Sequence, residues 1–304
     1  MTTKQKAYFA LAITSTVWGT SWIASRMAVQ KVPALEVAAI RQGIAGLCFT
    51  GFFLIKGEKV PSFKEIIWMA GMAILLFVSA NGLATVGIKY VSSGLGALIA
   101  ALYPLSVVLI ERIFYKNIKI TFYTFSGITL GIVGIAFVFY ENAFHHHAEG
   151  YIIGIVFSLI AMLSWSVGTI FIARRKSTIN PYFATGWQML FGSTMLFVIA
   201  GLTGNWIPIQ EISFSAWKAI AYLVSMGSIL AFVAFIYTMK HLEPSIAALY
   251  AYINPIVAIL IGSVLVNEVI TLNIIIGTII TLLGVYIVNQ SLKKEKKALI
   301  EPIE

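Results

Sequence analysis

Apolar residues run along this chain in long, nearly unbroken stretches separated by short polar breaks. The stretches fall at about 7–26, 34–55, 66–88, 91–111, 121–140, 151–173, 182–203, 216–238, 244–266 and 271–290. Each is near the ~20 residues that an α-helix needs to cross a hydrocarbon layer of ~30 Å. Runs such as Ile66 to Ile88 lack the period-two alternation of a membrane barrel strand. They suit helices, which satisfy every backbone donor and acceptor within one segment. The pattern predicts an all-α integral membrane protein with ten transmembrane helices.

Composition sharpens this picture. The 304 residues are 59% hydrophobic and 11% charged, with a mean hydropathy of +0.91, whereas a soluble domain carries roughly a quarter charged residues. A net charge of +9 would suggest nucleic acid in a soluble protein, but most basic residues sit in alternate loops, so no nucleic-acid partner is expected. Lys4 and Lys6, then Lys56, Lys59 and Lys64, then Arg112, Lys116 and Lys119, then Arg174, Arg175 and Lys176, then Lys240, and finally Lys293, Lys294, Lys296 and Lys297 all fall on one side. The positive-inside rule makes that side the cytoplasm and places both termini there. The first stretch is too long for the apolar region of a signal peptide and reads as structure. The single Cys48 lies in an apolar segment, packed or facing lipid, and has no partner for an intramolecular disulfide.

Comparing the chain with itself reveals a duplication. Lys89, Ala97, Leu98, Ala100 and Pro104 recur at one constant spacing as Lys240, Ala248, Leu249, Ala251 and Pro255. Gly127 and Gly134 recur as Gly277 and Gly284, Gln42 and Gly46 as Gln188 and Gly192, and Trp18 as Trp165. The halves are residues 1–142 and 150–291, with a basic tail at 292–304. Five helices per half is an odd number, so the second half must enter the membrane from the opposite side. Two inverted five-helix repeats follow, an architecture of secondary transporters.

Several of these residues carry a resemblance to a known family. Trp18-Gly19-Thr20-Ser21-Trp22, Arg41, Tyr103-Pro104, Asn254-Pro255, Asn267-Glu268 and the paired glycines of the fifth and tenth helices stand in an order that resembles the EamA type of the drug/metabolite transporter superfamily. The resemblance covers nearly the whole chain. It implies a bacterial inner-membrane permease, often an exporter of amino acids or related metabolites. It also implies that the last helices of the two halves pack together, with a monomer or a homodimer both open. The expected partners are a small-molecule substrate and membrane lipid, with no cofactor and no metal.

Pro104 and Pro255 fall near the middle of the fourth and ninth helices, where each removes a backbone donor and frees the carbonyl four residues earlier. Irregular backbone at that depth suits a cavity lining, and the two prolines are candidate hinges; ordinary kinks are the competing reading. Around them the candidate substrate-binding residues are Trp18, Ser21, Trp22, Arg41, Tyr103, Trp165, Thr169, Gln188, Tyr250 and Asn254. Arg41 is the sharpest, because a charge roughly 10 Å inside a helix commonly marks a substrate or ion path. Its repeat counterpart, Trp187, is uncharged. Snorkelling of the long side chain to the outer surface is the alternative.

Glu111 and Glu268 read as capping or packing groups rather than proton carriers, and the chain has no aspartate. His145 to His147 lack the spacing of a tetrahedral metal site. No phosphate-binding Gly-Lys-Ser/Thr loop is present, which argues against an ATP-driven pump. The expectation is therefore a secondary transporter that works by alternating access and is not an enzyme. An intramembrane enzyme acting on lipid, and a receptor without flux, are the rival readings.

Overall fold

A computed structural model describes residues 1–115, 121–145, 149–247 and 249–300 of the chain. His146 and His147 of the histidine tract, Lys116, Lys119 and Ala248 lie outside the described residues. The described residues form ten long helices: α1 Thr3–Val29, α2 Ala34–Ile55, α3 Phe63–Gly87, α4 Ser93–Tyr115 and α5 Phe122–His145, then α6 Tyr151–Arg174, α7 Pro181–Leu202, α8 Phe214–His241, α9 (Pro244–Ala247 and Tyr250–Leu265) and α10 Leu272–Ile300. Seven of them are long and apolar enough to cross a membrane. α5 and α9 add the shorter apolar stretches Phe122–Val138 and Tyr250–Leu265.

α1 is the exception, and its position explains why. Thr14, Ser15, Ser21 and Ser25 on it are buried in protein. Hydroxyls in a helix that neither water nor lipid reaches must bond internally: Thr14 Oγ1 donates to the Ala10 carbonyl at 2.9 Å, Ser15 Oγ to Leu11 at 2.7 Å and Ser21 Oγ to Val17 at 2.7 Å. The outer faces of the bundle are instead apolar, as at Leu47, Phe52, Ile132 and Leu283. Cys48 is exposed on the same lipid-facing surface.

The pairing of helices shows the inversion directly. α2 lies along α7, its repeat counterpart: Ala39 accepts a hydrogen bond from Ser193 Oγ at 2.7 Å, while Phe53, further along α2, meets Phe183, further back along α7, at a ring separation of 5.8 Å. The two helices are therefore antiparallel. α5 and α10 repeat the relationship, because Gly127 faces Gly284 and Val288 while Gly134 faces Gly277 and Thr281. A Cβ on Gly127 would stand 2.7 Å from the Gly284 carbonyl oxygen, so glycine permits the backbone contact that replaces hydrophobic driving force between helices in lipid.

The halves also interlock. α1 packs on α8 and α9 of the other half, and α6 packs on α3 and α4. Each first helix packs chiefly against the opposite half.

Four helices depart from regular geometry. α3 widens into π-helical turns over Ile74–Gly82, and α8 does so over Leu223–Leu230, at matching places in the two halves. Such turns are rare and gather at functional sites. α4 is interrupted at Ala101 and Leu102 and restarts at Tyr103, while α9 is interrupted before Tyr250. The expected mid-helix kink at Pro104 is thus corrected: Pro104 stands in the first turn of a new helical segment, where a missing donor costs nothing. Pro255 does lie inside a continuous segment, so the two prolines differ in local setting.

Candidate functional site

α1, α2, α3, α4, α6, α8 and α9 enclose a cavity of about 1000 Å³, open solvent at its mouth included. The first helices of both halves contribute to it, which places it at the junction of the inverted repeats. Ala100 and Ala251, whose carbonyls precede the two prolines by four residues, both line the wall.

One end is aromatic. Trp18 on α1 is its hub, with ring centroids 6.2 Å from Trp165, 5.4 Å from Phe232, 5.0 Å from Phe235 and 5.4 Å from Tyr250. Most of these pairs meet edge to face, the arrangement in which ring quadrupoles attract. Trp18 Nε1 donates to the Gly227 carbonyl at 3.1 Å. That carbonyl belongs to the π-helical stretch of α8, so the irregular backbone supplies the acceptor that anchors the hub. The matching stretch of α3 supplies the Phe77 carbonyl, which accepts from Gln42 Nε2 at 3.1 Å.

The remaining wall is more polar, with Ser21, Ser25, Asn81, Thr85, Ser158 and Asn254. Asn254 Oδ1 is buried and has no hydrogen-bond partner. Arg41 does not snorkel. It is 7% exposed, lines the cavity, and donates through Nε to Ser228 Oγ at 2.7 Å. Gly227 lies beside it and makes room for Ser21: a Cβ there would stand 2.7 Å from Ser21 Oγ, and 3.6 Å from Arg41 Nη2. Trp187, the counterpart of Arg41, lies against Phe183 and Phe191 outside the cavity lining.

Of the sequence-derived candidates, Trp18, Ser21, Trp22, Arg41, Tyr103, Trp165, Tyr250 and Asn254 meet in this one cavity. Thr169 and Gln188 do not line it. Thr169 spends its hydroxyl on the Trp165 carbonyl at 2.9 Å, and Gln188 is buried within α7. Asn81, Phe232, Gly227 and Ser228 belong to the site without having been singled out. Asn81 could have been found as the polar interruption of a long apolar run. Gly227 and Ser228 carry no such signal, because their role comes from the widened turns.

The ends of the bundle are held by two ion pairs. Arg26 Nε lies 3.2 Å from Glu268 Oε1, and Arg174 Nη2 lies 2.9 Å from Glu111 Oε1. Glu268 also accepts from the Ser93 backbone N–H at 2.8 Å and from Ser93 Oγ at 2.6 Å, at the start of α4. Arg26 also donates to the Ile88 and Val91 carbonyls.

Comparison with known proteins adds the family. The model of the EamA-like transporter family matches residues 5–140 and again 152–290. The inner membrane transporter YedA of Escherichia coli (strain K12) is 30% identical over 86% of this chain and 82% of its own length. The transporter YoaV of Bacillus subtilis (strain 168) is 22% identical over 96% of this chain and 99% of its own. A crystal structure with 17% sequence identity overlays with a TM-score of 0.67 and covers 96% of this chain and 99% of that one, a likeness of fold.

Proposed function

The chain belongs to the EamA-like transporter family, and on that premise we propose that it is a secondary carrier that moves a small amphipathic metabolite, an amino acid or a relative of one, outward across the bacterial inner membrane. Membership in a family of transporters sets aside the intramembrane enzyme. The observation that carries the reading is the cavity itself. It lies where two inverted halves meet, and its aromatic end is built from both first helices through Trp18 and Trp165. A site on such a junction is exposed to one side or the other when the halves rock, which is alternating access. The halves 1–142 and 150–291 are the rocking units. Pro104 and Pro255, beside breaks in α4 and α9, are the flexible points. Both termini lie in the cytoplasm in this reading, which the basic loops support, and export is the direction the family resemblance implies.

Inside-out vesicles test this. Vesicles containing the protein take up labelled amino acids or their derivatives, and vesicles without it do not. Leucine in place of Ser21 or Ala251 fills the cavity and abolishes uptake while folded protein persists. Full transport by both variants overturns the assignment of this cavity.

A further inference from the structure

Among the described residues the cavity lining holds one charged side chain and no acidic group to balance it. Arg41 is buried on its wall, its Nε bonded to a neutral hydroxyl, Ser228 Oγ. The Nη nitrogens have no protein acceptor among the described residues, and Nη2 lies on the Gly227 and Ser21 side of the cavity. A guanidinium presents five donors in a planar fork and does not shed its charge under physiological conditions.

The chain has no aspartate, and four of its glutamates on the helices and at their junctions are already engaged. Glu36 Oε2 accepts from the Ile207 N–H at 3.0 Å, Glu65 is bonded to Ser62, Glu111 to Arg174 and Glu268 to Arg26. No carboxylate lines the cavity among the described residues. An unpaired buried charge is unfavourable by several kcal/mol. The occupant therefore has to bring the counter-charge.

We infer that the cavity selects a solute of net charge −1: a monocarboxylate with a flat apolar body and one neutral N–H or O–H donor. The carboxylate takes the free fork of Arg41, where two parallel N–H···O bonds form. The apolar body lies against the Trp18, Trp165 and Tyr250 rings. The neutral donor meets Asn254 Oδ1, the buried acceptor that has no partner. A zwitterion fits less well, because it leaves the cavity at +1 and places an ammonium where no carboxylate answers it. A cation repeats the charge of Arg41 and is excluded. This narrows the carrier reading from amphipathic metabolites in general to hydroxy acids, N-acyl amino acids and similar monoanions, and it rests on that reading only in taking the cavity as the solute site.

Three probes that differ chiefly in charge test the inference by calorimetric titration of the full-length protein in nanodiscs. 3-Phenyllactate is the monoanion, phenylalanine carries an ammonium in place of the hydroxyl, and 2-phenylethylamine lacks the carboxylate. Phenyllactate is expected to bind at least about tenfold more tightly than phenylalanine, and phenylethylamine not measurably. Arg41→Met removes the preference for phenyllactate. Arg41→Lys retains its direction with weaker binding, and it carries the test if the methionine variant does not fold. Equal or tighter binding of phenylalanine, tighter binding of phenylethylamine, binding of none of the three, or an unchanged order in the folded Arg41→Met variant overturns the inference. Flux in vesicles is read separately. Binding in the expected order without flux leaves the charge assignment standing and removes the carrier reading, whereas flux of phenylalanine with no preference for phenyllactate does the reverse.

Discussion

Arg26, in the last turn of α1, meets Glu268, just beyond α9, at 3.2 Å. The repeat turns this contact over: Arg174, the last residue of α6, meets Glu111 of α4 at 2.9 Å. Since Glu268 bonds the start of α4 and Glu111 lies near its end, the two pairs sit at opposite ends of the bundle. Each joins a first helix to a fourth helix of the other half.

The two ion pairs differ in strength. Glu268 is 11% exposed and answers four donors, including the Gly94 N–H at 3.4 Å, whereas the Arg174 and Glu111 side chains are 35% and 21% exposed. Glu268→Ala is expected to lower stability by about 3 kcal/mol, because it leaves a half-buried guanidinium without its counter-charge and two helix N-terminal donors unanswered. Glu111→Ala is expected to cost under about 1 kcal/mol, as exposed pairs do. Thermal unfolding of the two purified variants in one detergent checks the difference, and equal shifts count against it.

Gly127→Val and Gly284→Val place side chains into the closest backbone contact of the α5 and α10 pair. At Gly127 even a Cβ stands 2.7 Å from a carbonyl oxygen. Overpacking of this kind costs about 1–3 kcal/mol where the neighbours can shift, and backbone cannot shift as a side chain does. The yield of monodisperse protein should fall for both variants. Gly51→Val, where a Cβ meets nothing within 4 Å, serves as the control and should match the parent.

At Gly227 the obstacle is a single atom. An alanine Cβ there stands 2.7 Å from Ser21 Oγ but 3.5 Å from Ser21 Cβ, an ordinary contact distance. Gly227→Ala alone should weaken solute binding by about tenfold by displacing Ser21 from its place in the cavity wall. Adding Ser21→Ala to it should restore part of that loss. A double variant no better than Gly227→Ala would remove this account of the glycine.

Orientation can be read with single cysteines in a Cys48→Ser background, which is needed because Cys48 is exposed. A membrane-impermeant maleimide should label Lys89→Cys on intact cells and Lys240→Cys only after permeabilisation. Labelling of both from one side contradicts the antiparallel course of the two halves.

Much of this architecture was legible because lipid imposes strict rules. Ten apolar stretches, the side bias of lysine and arginine, and the recurrence of Lys89 to Pro104 as Lys240 to Pro255 were enough for ten helices in inverted halves. Part of the cavity wall was legible too, since Arg41 and Trp18 are polar or bulky groups in places lipid would not hold. Thr169 and Gln188 fall outside the cavity lining for a physical reason: spacing along a helix gives the face but not which neighbour covers it. The widened turns of α3 and α8 were invisible. Gly82 and Gly227 weaken a helix by propensity, but propensity does not choose a widened turn over a kink, and that geometry is settled by partners such as Gln42 and Trp18 on other helices.

The crossing of α1 into the opposite half has a consequence for synthesis. Trp18 finds its acceptor, Gly227, 209 residues further along the chain, so the first span to enter the bilayer waits longest for its companions. Until α8 and α9 emerge, its serines and threonines depend on their own helical carbonyls to tolerate lipid, and the bonds from Thr14, Ser15 and Ser21 are in place for that interval. A ribosome stalled between the halves would therefore leave an orphaned, half-polar span in the bilayer, a natural substrate for membrane quality control.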